Sequence, residues 1–314
     1  MRPIPPIVIP DDDPPVMAPS AAYSKLASHQ VHMYASRPST EEDLISRIQD
    51  AEIVINIRAT SRFTKDVLAR CPKLRLISIW GTGTDNIDLE AAKIAGIRVT
   101  NTPGVSAISV AEHTLSLIMA VAKQTAVVDR QVREGNWPRA MVTQLYGKTM
   151  GLMGTGAIGS QVARLAEGIG MRVIAWSFHP KHDLAEWVSF DDIFRRSDVV
   201  SVHVRQSPET IGMIGRKHFD LMKPSAIFIN TARGPIVREA DLLDALQRNQ
   251  IAGAGLDVFA TEPLPSDSPF YALSNVVLTP HAAGITPEAT EAGLDLAIEN
   301  VFAFLSGRAM NVVV

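Results

Sequence analysis

A single cysteine, Cys71, in 314 residues excludes an internal disulfide and any cysteine-pair zinc site. Within LARCPKL it is expected to fill a small gap in a core. The eight histidines are scattered and no H-E-x-x-H helix occurs, which counts against a metal enzyme. No block of like charge stands out and the net charge is only −3. Nucleic-acid and membrane-surface partners need a basic stripe, so neither is expected. Long apolar runs are missing as well. Pro and Asp break up the N-terminal MRPIPPIVIPDDDPP, which excludes a secretory signal there. The stretch around Leu115–Val128 carries Lys123 and Gln124 and is too short and too polar to span a bilayer. With no low-complexity segment and no short-period repeat, the chain is expected to be soluble and cytoplasmic.

What the chain does have is apolar substance, 46% of its residues, enough for packed cores. Its length suggests two domains of about 100–200 residues each. Strand-like runs IVIP, VHMY, EIVINI, LRLISI and IRVTN fill the first third, and STEEDLISRIQDA opens a helix with Ser39 and Thr40 as cap candidates. Strands alternating with helices predict an α/β fold with parallel sheets. From Ser106 to about Glu134 the pattern predicts one long helix, with Val110, Leu115, Ile118 and Val121 on its apolar stripe. The alternation resumes at TMGLMG and runs to NVVLTPH. A last helix carries Leu294, Ile298, Val301, Phe302 and Leu305, with Gly307 as its stop. Trp80, Trp137 and Tyr146 are assigned to the core or to a pocket wall.

Within TMGLMGTGAIGSQVARLAEGIG the pattern G-x-G-x-x-G falls on Gly154, Gly156 and Gly159. The pattern alone is weak, but here a strand precedes it and an amphipathic helix follows. One glycine then serves the tight turn, one the approach of a pyrophosphate, and one helix–strand packing. Free amides at the helix N-terminus would hold the phosphates. The next strand ends at Ser177, 18 residues past Gly159, near the separation of about 20 at which such chains carry an acid for the ribose. Serine can hydrogen-bond a ribose but cannot repel a 2′-phosphate. His179, Lys181 and His182 follow it and are candidate phosphate partners, so NAD and NADP both remain open.

Ligands of open α/β sheets bind beyond the carboxyl ends of the strands. There the sequence sets Arg205 and Gln206, Arg233 after Thr231 and Ala232, Asp257 with Glu262 soon after, and His281. A cation to orient a keto acid, a histidine to exchange a proton and a carboxylate to support the histidine are what hydride transfer to a carbonyl needs.

The segments GTGTDNIDLEAAKIAGIRVTNTPG, VAEHTLSLI, GLMGTGAIGSQVA, SPETIGMIG, MKPSAIFINTARGPIVREADLLDAL, GLDVFATEPLP and LTPHAAGIT follow one another across nearly the whole chain. In this order and spacing they resemble the D-isomer-specific 2-hydroxyacid dehydrogenases. The resemblance implies a catalytic set of Arg233, Glu262 and His281. It implies dinucleotide contacts from Gly154, Gly156, Ala157, Ile158, Gly159, Ser177, Thr231, Asp257 and Gly284, with Asp257 on the nicotinamide carboxamide. Backbone amides of Thr82 and Gly83 would grip the substrate carboxylate, and Arg58 in NIRATS is a further pocket candidate. Ser177 departs from the family's usual Asp.

The resemblance further implies two doubly wound parallel-sheet domains. A Rossmann dinucleotide-binding domain, residues 104–281, would be inserted into a flavodoxin-like substrate domain of residues 1–103 plus 282–314, with the active site in the cleft. Homodimers through the nucleotide domain are implied too. The end of the chain at Val314 counts against the long phosphoglycerate dehydrogenases. The expected activity is hydride transfer between NAD(P)H and a small 2-keto or D-2-hydroxy acid: glyoxylate, hydroxypyruvate or a bulkier analogue. Glu262 counts against formate dehydrogenase, whose histidine pairs with Gln, whereas phosphite oxidation is compatible with the triad. The alternative from another class is a dinucleotide-sensing corepressor or scaffold, against which the intact Arg–Glu–His set argues.

Overall fold

The computed structural model describes residues 5–139, 141–180 and 185–314. The chain divides into two compact units, Met1–Ser106 with Ile285–Val314, and Ala107–Gly284. The first unit opens with β1 (Ile7–Ile9), β2 (Val31–Met33), α1 (Glu41–Ile48), β3 (Ile53–Asn56), α2 (Lys65–Ala69), β4 (Leu76–Ile79), α3 (Leu89–Ile94) and β5 (Arg98–Thr100). Its sheet is parallel in the order β2-β1-β3-β4-β5. Strands β3 and β4 read IVIN and LISI and are buried at every position, as strands covered on both faces must be. Helix α1 starts where the Thr40 hydroxyl accepts the Asp43 amide, with Glu41, Glu42 and Asp43 in the first turn facing the positive helix end. Cys71 is buried in the core on one face of this sheet, and that burial pushes its thiol up to about 11. It fills space and stays protonated.

The second unit comprises α4 (Ala107–Ala122), α5 (Thr125–Arg133), β6 (Thr149–Met153), α6 (Ala157–Gly168), β7 (Arg172–Trp176), β8 (Glu186–Trp187), α7 (Phe190–Arg196), β9 (Val199–Val202), α8 (Arg216–Leu221), β10 (Ile227–Asn230), α9 (Glu239–Gln247), β11 (Gly253–Leu256) and β12 (Val276–Leu278). Its sheet is also parallel, in the order β12-β11-β10-β9-β6-β7-β8. Order reverses between β6 and β9, the switch point beside which such sheets bind ligands. One face packs Phe194, Phe219, Phe228 and Leu256, the other Leu117, Ile118, Val162 and Ala166. The chain then returns to the first unit through α10 (Pro287–Leu305), whose Leu294, Ala297, Ile298 and Val301 pack on Ile7, Ile9, Ile53 and Ile55.

The structure departs from the sequence reading in three places. Residues 106–134 form two helices rather than one, broken at Gln124, which takes a left-handed φ of 52°. The break has a packing reason: α4 buries Leu117, Ile118 and Ala122, while α5 buries no residue. On α4, Val110 and Ile118 are buried as expected, but Leu117 takes the core position in place of the half-buried Leu115. Trp137 and Tyr146 lie on the surface at 79% and 72% exposure, so neither is a core residue.

The turn from β6 into α6 is set by close backbone approach. Gly154 has φ +95°, and a Cβ there would lie 2.7 Å from the His203 carbonyl. At Gly159 a Cβ would lie 2.1 Å from the Gly154 carbonyl oxygen, a backbone atom that cannot swing aside. Gly159→Ala is therefore expected to cost about 1–3 kcal/mol by overpacking and lower Tm by roughly 2–12 °C. Gly156→Ala, whose Cβ would meet nothing within 4 Å, should stay within about 2 °C of the natural protein. Calorimetry on both variants checks this, and equal Tm values would remove Gly159 from the packing role.

Candidate active site

The strongest cluster of functional groups lies at the carboxyl ends of β10, β11 and β12, all within the second unit. After β10, the Asn230 carboxamide clamps the turn: its Oδ1 accepts the Ala232 amide at 3.0 Å and its Nδ2 donates to the Arg233 carbonyl at 3.0 Å. Arg233 follows with its Nη1 donating to the Ala232 carbonyl at 2.7 Å. Thr231 is buried and its hydroxyl meets that of Thr114 on α4 at 3.0 Å. Thr114 donates to the Val110 carbonyl, so Thr231 is the donor between them and its side chain serves the helix contact.

Glu262 and His281 form the ionic centre. His281 Nδ1 lies 2.7 Å from Glu262 Oε2, and Glu262 Oε1 accepts the Phe259 amide at 3.0 Å. Partial burial alone would raise the Glu262 carboxyl. The His281 hydrogen bond, the Phe259 amide, and the charges of His281 and Arg233 outweigh it and hold the carboxyl below its usual range. A carboxylate only accepts, so His281 donates through Nδ1–H, which leaves Nε2 as its second ring nitrogen. Arg233 lies close enough to act on the same carboxylate. The three residues are thus brought together.

Asp257 stands behind them, fully buried at the end of β11. Its Oδ1 accepts the Thr279 hydroxyl at 2.6 Å and the Ala282 amide at 2.9 Å, and its Oδ2 the Ala283 amide at 3.0 Å. Its carbonyl accepts the His281 amide at 2.8 Å. Asp257 therefore builds the turn that carries His281, a job the sequence reading did not assign to it. His113 and Thr279, which complete this network, were missed as well. Gly284, half-buried, ends the unit.

The phosphate loop fits a dinucleotide. Gly156 is the N-cap of the twelve-residue α6 and offers no side-chain cap, and space is open around its Cα. The first amides of α6, those of Ala157 and Ile158, are placed for an anion by helix geometry. Ser177 sits at the end of β7, next to Trp176, whose carbonyl accepts the Gly154 amide at 2.8 Å. Its hydroxyl accepts the His179 amide at 3.2 Å, and no carboxylate replaces it among the described residues of that turn. Lys181 and His182 lie outside the described residues.

Thr82, Gly83 and Arg58 belong to the other unit. Around Thr82 the loop is tied by the Asn101 side chain to the Thr82 carbonyl at 2.8 Å and by the Gly81 amide to Thr102 Oγ1 at 2.8 Å. The Arg58 loop is organised by Asp11, which is fully buried. Asp11 accepts the Ile57 and Arg58 amides at 3.1 Å each, Asn56 Nδ2 at 2.8 Å and the Ser61 hydroxyl at 2.5 Å. The Arg58 guanidinium stacks 5.8 Å from the Trp80 ring centroid and donates to the Pro14 carbonyl. Its Nε is buried without a partner among the described residues. The repeated Asp after the first strand was the one signal for this anchor.

No helix among the described residues is long and apolar enough to cross a membrane, and no group of metal-ligating side chains occurs among them.

Known proteins resemble this chain over most of its length. Residues 115–283 match the model of the D-isomer specific 2-hydroxyacid dehydrogenase, NAD binding domain. A glyoxylate reductase of Korarchaeum cryptofilum is 38% identical over 303 residues, covering 92% of this chain and 91% of that protein. A D-3-phosphoglycerate dehydrogenase of Methanocaldococcus jannaschii is 38% identical over 87% of this chain, which spans only 54% of that protein. Among solved structures, an acyclic imino acid reductase in complex with NADPH and D-Arg superposes with TM-score 0.90 or better, at 0.91, with 31% identity over 98% of this chain and all of that one. The chain belongs to the D-isomer-specific 2-hydroxyacid dehydrogenase family and is an NAD(P)-dependent oxidoreductase of that reaction class.

Proposed function

We propose that this chain reduces a small 2-keto acid, glyoxylate first among those to test and hydroxypyruvate or bulkier analogues next, with His281 as the proton donor. The observation that carries the reading is the 2.7 Å contact between His281 Nδ1 and Glu262. It fixes the imidazole by one nitrogen and turns the other to acid–base work. The phosphate loop would hold the pyrophosphate of a reduced dinucleotide, which would supply the hydride for the carbonyl carbon. His281 Nε2–H gives its proton to the carbonyl oxygen, and in the reverse direction takes it back. Glu262, ionised across the neutral range because its carboxyl titrates low, supports the imidazolium throughout. Arg233 orients the substrate through its carboxylate and carbonyl, which its planar fork suits. The amides of Thr82 and Gly83 grip the substrate carboxylate, with Arg58 nearby on its anchored loop.

Gly154, Gly156, Ala157, Ile158 and Gly159 take the pyrophosphate, with Ser177, Thr231, Asp257 and Gly284 as the other cofactor residues. The domain of residues 104–281 binds the dinucleotide, and residues 1–103 with 282–314 bind the substrate. A cytoplasmic homodimer completes the proposal. It is supported by the α5 segment, which buries none of its own residues, and by the exposed apolar Val132 on it and Trp137, Met141 and Val142 after it. Exposed apolar side chains so close in sequence suit an interface, here with a second copy of the chain. Sedimentation should give a dimer, and Trp137→Ser with Met141→Asp should give a monomer.

His281→Ala is expected to lose roughly 10²–10⁴-fold in kcat for glyoxylate reduction, the range of general acid–base catalysis. Near-full turnover in a folded variant would sink the assignment. In Glu262→Gln the imidazolium loses its anionic partner, which disfavours the charged ring. The alkaline fall-off of reduction should shift to lower pH, and an unchanged profile would remove Glu262 from that role. Arg233→Lys should damage kcat and substrate KM more than cofactor affinity.

Cofactor choice turns on Ser177. Without an acid there, NADH and NADPH should both be accepted, and Ser177→Asp should shift preference toward NADH by like-charge repulsion of the 2′-phosphate. The comparison is kcat/KM for both cofactors in both proteins at one salt concentration. Strong NADH selectivity in the natural protein, unchanged by the substitution, would place the ribose contacts on other residues.

A further inference from the structure

We propose that His113, on α4, is a positioning residue for His281, acting through Thr279 and Asp257. Its Nε2 lies 3.0 Å from Thr279 Oγ1 and 3.5 Å from Asp257 Oδ1. Thr279 Oγ1 in turn lies 2.6 Å from Asp257 Oδ1. Proton counting fixes the direction of the relay. A hydroxyl has one hydrogen, and the ionised carboxylate can only accept, so the Thr279 hydrogen goes to Asp257. Thr279 must then accept from His113, whose Nε2 carries a hydrogen. The relay therefore runs His113 to Thr279 to Asp257, and no group in it is replaceable by one of opposite polarity.

What the relay holds is a strained turn. His281 has a left-handed φ of 53°, a conformation that disfavours any residue with a Cβ. It persists because the surroundings over-determine it. The Asp257 carbonyl takes the His281 amide, and the two Asp257 carboxylate oxygens take the amides of Ala282 and Ala283. Every one of those contacts depends on where the Asp257 side chain and backbone stand. Thr279, fixed from the other side by His113, is the donor with the shortest bond to that carboxylate. His113 is only half-buried, and nothing in the Arg–Glu–His chemistry uses it directly. A core filler at that place would need no hydrogen on Nε2. The contact is made by a polar side chain that α4 directs at Thr279 and not into the core.

This inference rests on the proposed proton-transfer role of His281, and its test separates the two. The full chain is prepared as His113→Leu, His113→Gln and Thr279→Val, together with the His113→Leu/Thr279→Val double variant. The glutamine Nε2–H reproduces the imidazole Nε2–H, while leucine keeps the bulk and removes the donor. Amide hydrogen exchange of residues 281–283, measured without substrate or cofactor, should speed up about tenfold in His113→Leu and Thr279→Val and return toward the natural rate in His113→Gln. Turnover of glyoxylate should fall about tenfold in kcat in the first two variants, with the dissociation constant for NAD(P)H changed less than threefold, and recover in the glutamine variant. The double variant should be no worse than the poorer single one, because both break one relay. Unchanged exchange in His113→Leu, additive losses in the double variant, or failure of glutamine to restore the turn would overturn the proposal. Should His113→Leu fail to fold, Thr279→Val and His113→Gln carry the same comparison. If the natural chain turns over no 2-keto acid, the functional reading fails while the exchange data still settle the relay.

Discussion

One buried carboxylate organises the chemistry. Asp257 is cut off from water at the end of β11, where an ionised group costs several kcal/mol unless donors surround it. Burial by itself pushes its carboxyl up, yet the neighbouring His113 and the hydrogen bonds from Thr279, Ala282 and Ala283 bring it below the usual range. The donors therefore decide the charge, and the charge decides the turn. Because the turn amides are among those donors, the same bonds that stabilise the anion also hold His281 in its left-handed conformation. The Glu262 contact then needs only to orient a ring whose backbone is already placed. Removing the carboxylate would leave three donors unsatisfied in a buried place, so this residue ties the order of the turn to the stability of the fold.

Much of this was legible in the chain. Short apolar-rich runs such as IVIN and LISI announce strands covered on both faces, and glycines between a strand and an amphipathic helix announce the phosphate loop. Arg233, Glu262 and His281 were visible because reactive side chains just past strand ends have few structural reasons to be there. His113 was not. On an amphipathic helix a histidine three positions after Val110 and four before Leu117 looks like part of the polar flank, and its partner Thr279 is 166 residues away. Asp11 was hidden for the same reason, since its donors come from residues 45 to 50 positions later. The break at Gln124 was invisible because the helical periodicity continues across it, and only the sheet's edge decides where α4 loses its packing surface.

Asp11 and Asp257 make an instructive pair, because the same device has opposite electrostatic outcomes. Both are fully buried, both follow a parallel strand, and both collect amides and a hydroxyl. For Asp11 burial wins and its carboxyl stays above the usual range despite Ser61, Ile57, Arg58 and the nearby Arg58 charge. For Asp257 the donors win. Linkage then gives the two loops different responses to acid. The Asp257 and Glu262 contributions are present above the unfolded carboxylate range and fade as pH falls through their lowered folded values. The Asp11 contribution has the other sign: it is fully present below the unfolded range and is lost as pH rises through the raised folded value. Mild acid therefore relieves the cost of the Asp11 anchor, and only acid below the ordinary carboxylate range weakens the His281 turn. Of these two loops, the His281 turn is the one whose order depends on keeping its carboxylate ionised.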